Sequence, residues 1–188
     1  MDQKTEAEIV VRVLKGDRQA YALLVEEYKN PIYNLAYRMT SNFADAEDLA
    51  QETFLRSFRE LSRFDTKRHF YTWIYTISLN LIRNHLKKAG RKIDFQKTGN
   101  SSAVDVFEFK QSLSSEGNDT EVSKKEQETQ LEICLLKLSP ELREMLVMRF
   151  YQNLSFEEIS EITGFSQSAI KMRIYRGLEK LKEMMQKM

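Results

Sequence analysis

The chain has 188 residues, 41% of them hydrophobic and 30% charged, with only six glycines and two prolines, which favours helices over turn-rich sheet. A formal net charge of +1, from 29 basic and 28 acidic residues, excludes a strongly basic protein that grips DNA unaided and implies local patches of both signs. The single cysteine, Cys134, excludes an internal disulfide, and no apolar run approaches a membrane span, so a cytoplasmic protein without direct membrane insertion is expected.

Helical periodicity starts at once. Ile9, Val10, Val13 and Leu14 form an apolar face, ended by Lys15-Gly16-Asp17, a helix stop followed by an N-cap. The next helix carries Tyr21, Leu24, Val25 and Tyr28 and is expected to break at Asn30-Pro31. A third follows with Ile32, Leu35, Ala36 and Met39. Ser41 or Asn42 can cap a longer fourth helix reaching about Leu61, with Phe43, Ala46, Ala50, Phe54 and Phe58 expected inward. A polar connection, Ser62 to His69, leads to a fifth helix from about Phe70 to Lys88, in which Ile74, Ile77 and Leu81 form the core stripe.

Composition then shifts. Gly99-Asn100-Ser101-Ser102 and Ser114 to Asp119 carry no helical stripe, and Val104, Val106, Phe107 and Phe109 form only a short apolar island. The fold expected is all-α: a helical domain at 1–90, a flexible linker at 91–123 and a second helical domain at 124–188. In that second domain Leu131, Cys134, Leu135 and Leu138 line one helix. Ser139-Pro140 opens another carrying Leu142, Met145, Leu146 and Phe150, and Ser155 with Glu158 forms a capping box.

Three patches carry chemistry. From Ser155 to Leu181, two helices joined by a turn at Gly164 have the skeleton of a helix-turn-helix. Ile170, Ile174, Leu178 and Leu181 are expected to face its core. Gln167, Ser168, Lys171, Met172, Tyr175 and Arg176 share the other face, and Arg173 lies to the flank where it suits phosphate. Pattern alone leaves open an ordinary amphipathic helix with a solvated basic face. On the fourth helix Asp45, Asp48 and Glu52 fall at i, i+3 and i+7 with Gln51 beside them, a stripe that is either a solvated face or a dock for a basic protein. Around Lys67, Arg68 and His69 crowd Phe64, Phe70, Tyr71, Trp73 and Tyr75. Asn80, Arg83, Asn84 and Lys87 share a polar helix face. Trp73 and Phe70 are assigned to the core. The loop from Phe64 to His69 and the polar face suit single-stranded nucleic acid, which needs stacking and charge together. No Glu-x-x-His pair occurs, and no cofactor, metal or catalytic site is expected.

Each patch is ambiguous alone, but their order is specific. Asp45-Ala-Glu-Asp-Leu-Ala-Gln-Glu-Thr-Phe54, then Phe70-Tyr-Thr-Trp-Ile-Tyr-Thr-Ile-Ser-Leu-Asn-Leu-Ile-Arg83, then Leu138-Ser-Pro-Glu-Leu142 and Ser155-Phe-Glu-Glu-Ile159 closely resemble bacterial RNA polymerase sigma factors of the extracytoplasmic-function (ECF) group. The resemblance implies a non-catalytic initiation factor that docks on core RNA polymerase, at the clamp helices of the largest subunit and the flap region, and directs it to promoter DNA. It assigns Asp45, Asp48, Gln51 and Glu52 to the clamp. To the minus-ten element and its melting it assigns Phe64, Lys67, Arg68, His69, Asn80, Arg83 and Asn84. To the minus-thirty-five element it assigns the helix-turn-helix face, and it implies a cognate anti-sigma factor. Lys171 and Met172 stand where the family often has arginine and a small residue.

The two elements lie about 35–70 Å apart at ~34 Å per duplex turn. A coil of about 30 residues averages roughly 30 Å and extends to about 100 Å, so the linker reaches when stretched. Two rival functions remain at this point. A dimeric stand-alone helix-turn-helix regulator leaves the acidic helix unexplained, and an adaptor that binds only proteins leaves the recognition face unexplained.

Overall fold

The structure, a computed structural model, describes residues 1–96 and 129–187. The Gly99–Ser102, Val104–Phe109 and Ser114–Asp119 stretches of the expected linker lie outside the described residues. Among those described there is no strand. The helices are α1 (Gln3–Leu14), α2 (Tyr21–Thr40), α3 (Phe43–Glu60) and α4 (Phe70–Gln96), followed by α5 (129–137), α6 (Pro140–Leu146), α7 (Phe156–Thr163) and α8 (Gln167–Met185). Short 3-10 turns at Arg18–Ala20 and Leu61–Arg63 precede α2 and follow α3, and a π turn at Val147–Tyr151 continues α6.

The caps follow the sequence. Asp2 accepts from the Thr5 amide, Asp17 from Ala20 and Asn42 from Asp45, each closing a first turn that would otherwise leave amides unpaired. Asn42, not Ser41, is the cap of α3. Ser41 sits at φ +56° as the left-handed end of α2.

Three expectations are corrected. Pro31 does not break the helix: α2 runs unbroken through it. A mid-helix proline costs about 3 kcal/mol, but Leu24, Tyr28, Ile32, Leu35, Ala36 and Met39 form one continuous buried stripe across it, and their burial outweighs the lost hydrogen bond. The helix expected to stop near Lys88 continues past residue 90 to Gln96, because Gly90 is a weak helix former, not a terminator. On α3 the inward face is Ala46, Leu49, Ala50, Thr53 and Ser57, while Phe43 and Phe58 are exposed and Phe54 is half-buried. The small residues let α2 approach α3 closely, and the larger rings lie along the seam. Phe43 stacks on Tyr37 and Phe58 meets Tyr21 edge-on, at centroid distances of 4.7 Å and 5.0 Å.

The N-terminal helices α1–α4 and the C-terminal helices α5–α8 share one hydrophobic core. Helix α4 is central to it. Thr72, Ile74, Tyr75, Ile77, Ser78, Leu79 and Ile82 are all buried, nearly encircling the helix, because α2 and α3 cover one side and α7 covers another.

Candidate nucleic-acid and partner interfaces

Helices α7 and α8 form the helix-turn-helix. Ser155 accepts from the Glu158 amide at 3.1 Å while the Glu158 carboxylate accepts from the Ser155 amide at 2.6 Å, the reciprocal capping box. Gly164 ends α7 at φ +74°, a conformation that side chains resist, and Ser166 caps α8 through the Ala169 amide. Ile170, Ile174 and Leu181 are buried as expected, but Leu178 is exposed and Gly177 takes the inward place against Leu146.

On the outer face Gln167, Ser168, Lys171, Met172, Tyr175 and Arg176 are exposed, Tyr175 at 71%. Arg173 is half-buried. Its guanidinium lies 4.1 Å from the centre of the Phe165 ring and donates to the Ala169 carbonyl, so the side chain is held at the flank of the helix. Lys171 hangs over Phe156 at 5.2 Å.

Asp48, Gln51 and Glu52 are exposed along α3 and Asp45 is half-buried. Asp45 lies 3.3 Å from His85 of α4, which ties the start of the acidic stripe to the neighbouring helix, and Glu52 has Arg59 at 3.9 Å. Beside the stripe runs an apolar groove between α2 and α3 lined by Tyr21, Val25, Phe54, Leu55 and Phe58. Burial pushes the Tyr21 hydroxyl up to about 12, against a smaller opposing effect of its Ser57 hydrogen bond. A second apolar groove, lined by Leu131, Leu135, Phe150 and Leu178, lies between α5, the π turn and α8. The sequence reading missed both grooves. Their only advance signal is an apolar face wider than one core needs.

The loop before α4 divides. Lys67, Arg68 and His69 are exposed. Phe64 is not a free stacking surface, which corrects the expectation: it is 7% exposed and packs on Phe70 and Trp73 at centroid distances of 5.5 Å and 5.2 Å. Three large apolar rings so near one another gain more from burying each other than from facing water. Helix α1 braces this loop. Gln3 donates to the Lys67 carbonyl, and the buried Glu6 accepts from the Phe70 amide at 2.8 Å and from the Tyr28 hydroxyl.

Beyond the loop, Asn80 and Asn84 are exposed, but Arg83 is engaged. It forms a two-bond fork with Glu144 of α6, Nε to Oε2 at 2.9 Å and Nη2 to Oε1 at 2.7 Å. Those hydrogen bonds, against partial burial, hold the Arg83 pKa above its ordinary value. Sequence reading missed Glu144. The available hint is a charged pair, Arg143-Glu144, set inside the apolar run from Leu142 to Val147.

An exposed helix-turn-helix face joined in one chain to an acidic helix face and a basic loop has the features of a DNA-binding protein. The family model for sigma-70 region 2 matches residues 24–92 and that for sigma-70, region 4 matches residues 129–181. The ECF RNA polymerase sigma factor SigW of Bacillus subtilis is 34% identical over 177 residues, 93% of each chain. The RNA polymerase sigma-H factor of Pseudomonas aeruginosa is 30% identical, covering 99% of this chain and 96% of its own. The fold is shared with CnrH, solved with the cytosolic domain of CnrY, at 21% identity, 97% coverage of both chains and a TM-score of 0.68. It is shared too with the sigma factor RpoE solved with the anti-sigma factor NepR from Bartonella quintana, at 19% identity, 88% and 96% coverage and a TM-score of 0.67. The chain belongs to the ECF RNA polymerase sigma factor family.

Proposed function

We propose that this chain carries out promoter-directed initiation without chemistry of its own, each of its three faces having one partner. It binds core RNA polymerase, selects promoters through minus-ten and minus-thirty-five elements, and assists strand opening. Asp45, Asp48, Gln51 and Glu52 dock on the basic clamp helices, with the apolar groove beside them adding contact area. Lys67, Arg68 and His69 of the loop, with Asn80, Arg83 and Asn84 of α4, take the minus-ten strand, while Phe64 supports the loop from beneath. Gln167, Ser168, Lys171, Met172, Tyr175 and Arg176 read the minus-thirty-five duplex, and Arg173 takes a phosphate. The groove at Leu131, Leu135, Phe150 and Leu178 serves the flap region. An N-terminal domain extended from 90 to the end of α4 at Gln96, a C-terminal domain at 124–188, a cytoplasmic location and a cognate anti-sigma factor complete the reading. No helix among the described residues is long and apolar enough to cross a membrane.

One observation carries the proposal: an exposed acidic face on α3 and an exposed base-reading face on α8 occur in one chain with a net charge of only +1. A small net charge suits a subunit whose electrostatic grip on DNA comes from its partner. The experiment is in vitro transcription on genomic DNA by core polymerase with and without the chain. New start sites that vanish when Asp45, Asp48 and Glu52 are neutralised together support it, while start sites indifferent to that triple change overturn the docking assignment.

A further inference from the structure

Two phenylalanines of the helix-turn-helix have cations placed over their rings. Arg173 lies over Phe165, and Phe156 serves two: the Lys171 ammonium is 5.2 Å and the Arg149 guanidinium 5.0 Å from its centre. Phe156 opens α7 directly after the Ser155 cap, so the capping box fixes its backbone, and its partly buried ring packs against the core. Arg149 has a second anchor, donating to the Leu154 carbonyl at 2.8 Å. Lys171 is exposed on α8, and the ring gives its long stem a direction.

That direction matters because of what lysine lacks. An arginine fork matches its target by its own planar shape, whereas a lysine ammonium is a point charge on a flexible four-carbon stem. A cation within about 6 Å of a ring centre is attracted to the aromatic face. The ammonium carries three N–H donors and no acceptor, so donors remain for the groove while the ring holds the charge. In the major groove guanine presents two neighbouring acceptors, O6 and N7. Adenine presents one acceptor beside an amino donor, and cytosine an amino donor.

We infer that Phe156 is a positioning residue for promoter specificity: its ring on α7 holds the Lys171 ammonium of α8 in place, and the ammonium so held selects a guanine in the upstream element. Base choice at that pair is then set by the two helices together, not by α8 alone. Arg149 keeps its Leu154 bond when the ring is lost, so removing the ring acts chiefly on Lys171. The inference rests on the minus-thirty-five role proposed for Lys171.

The test uses the full chain bound to core polymerase, transcribing a library with a randomised minus-thirty-five element. Lys171→Ala marks the base pair that Lys171 reads, and the parent chain is expected to prefer guanine there. Phe156→Leu keeps an apolar side chain against the core and removes the aromatic face, while Phe156→Tyr keeps the face. At the marked pair Phe156→Leu is expected to lower the guanine preference about two- to fivefold, the size of an exposed cation–aromatic attraction, with other pairs unchanged. Phe156→Tyr is expected to retain it. In the Lys171→Ala background Phe156→Leu is expected to add nothing at that pair, as for two residues that act together. NMR of the free parent chain gives a readout that needs no variant to fold. The Lys171 methylene protons nearest the ammonium are expected upfield of those of the exposed Lys180, moved by the ring current. Coincident shifts overturn the contact. A Phe156→Leu chain that keeps the full preference, or loses it equally at every pair, overturns the positioning role, while a localised Lys171→Ala effect leaves the base-reading role standing. A marked pair that prefers another base overturns the assignment to guanine. A Lys171→Ala chain with unaltered preference at every pair removes the base-reading role, and the inference with it.

Discussion

Gly177 of α8 stands so close to Leu146 of α6 that a β-carbon on residue 177 would lie 2.9 Å from Leu146 Cδ1 and 3.2 Å from Cγ. In sequence this glycine reads only as a weak point in a helix, about 1 kcal/mol worse than alanine. In the fold it sets how closely the recognition helix seats on its support. Leu146 is 1% exposed, and its side chain would have to shift toward the groove that it helps line. Gly177→Ala therefore gains helix propensity but overpacks the contact, which costs about 1–3 kcal/mol. A net loss of about 1 kcal/mol is expected, seen as a melting temperature lower by about 2–4 °C. An unchanged or raised melting temperature would show that Leu146 yields freely.

What the sequence made legible was whatever depends on neighbours along the chain. The caps at Asp17, Asn42 and Ser155, the turn at Gly164 and the apolar stripe of α2 are local, and they appear where periodicity and side-chain chemistry put them. What stayed hidden depends on contacts across many residues. Phe64 looks like an exposed aromatic until Phe70 and Trp73 fold onto it, and Arg83 looks like a free cation until Glu144 arrives from α6. Pro31 misleads for the same reason: local rules predict a break, and tertiary burial overrides it.

Glu6 of α1 is a carboxylate only 1% exposed, and it holds both the Phe70 amide and the Tyr28 hydroxyl. Burial, reinforced by the Glu6 hydrogen bond, pushes the Tyr28 hydroxyl well above its ordinary range, so the phenol remains the donor. Glu6→Ala strands both donors, at about 1–3 kcal/mol for each buried group left unpaired. A loss of about 3 kcal/mol in urea unfolding is expected, with Glu6→Gln losing less because one carbonyl oxygen remains. Because Glu6 anchors the first amide of α4 directly after His69, the alanine variant is also expected to open promoters more slowly at temperatures where it is still folded. A loss near zero would mean that water replaces the carboxylate.

Ser78 lies fully buried on α4 with a hydroxyl that has no hydrogen-bond partner. An unsatisfied buried hydroxyl carries a desolvation cost of about 1–3 kcal/mol. Ser78→Ala removes the oxygen and keeps the shape, and alanine is the better helix former. The variant is expected to be more stable by about 1 kcal/mol in urea unfolding. Destabilisation would indicate that the hydroxyl is satisfied in solution by a bound water.

Glu158 gives the packing of α7 on α4 a pH dependence whose sign can be worked out. Desolvation raises its pKa, but hydrogen bonds from the Tyr71 hydroxyl and from Ser155 outweigh that and leave it lowered. A depressed folded-state pKa contributes stability that is present above the unfolded value and lost as pH falls through the folded one. Both the capping box of α7 and its tie to α4 are therefore expected to weaken on acidification below the ordinary glutamate value of about 4.3. Tyr71→Phe removes one of the stabilising hydrogen bonds, and NMR titration of that variant is expected to find the Glu158 pKa higher than in the parent chain. An identical titration in both would mean that the Tyr71 contact does not form in solution.

Arg173 and Arg176 are three residues apart on α8 yet sit in different surroundings, and their substitution is expected to separate affinity from specificity. Arg173 is fixed by the Phe165 ring and the Ala169 carbonyl at the flank of the helix, and the role proposed for it is a phosphate contact. Arg176 is exposed on the same face as Met172 and Tyr175, the face proposed to read base edges. Arg173→Ala in the polymerase-bound chain is expected to weaken all promoters alike and to reduce the slope of log affinity against log salt by about 1. Arg176→Ala is expected to cost about 1–3 kcal/mol at one base pair and to relax the preference there, with a smaller change in salt dependence. Transcription from a library of randomised upstream elements, at two salt concentrations, reads both quantities at once. If Arg176→Ala instead lowers every promoter equally, its contact is with phosphate, and base discrimination falls to Lys171, Met172 and Tyr175.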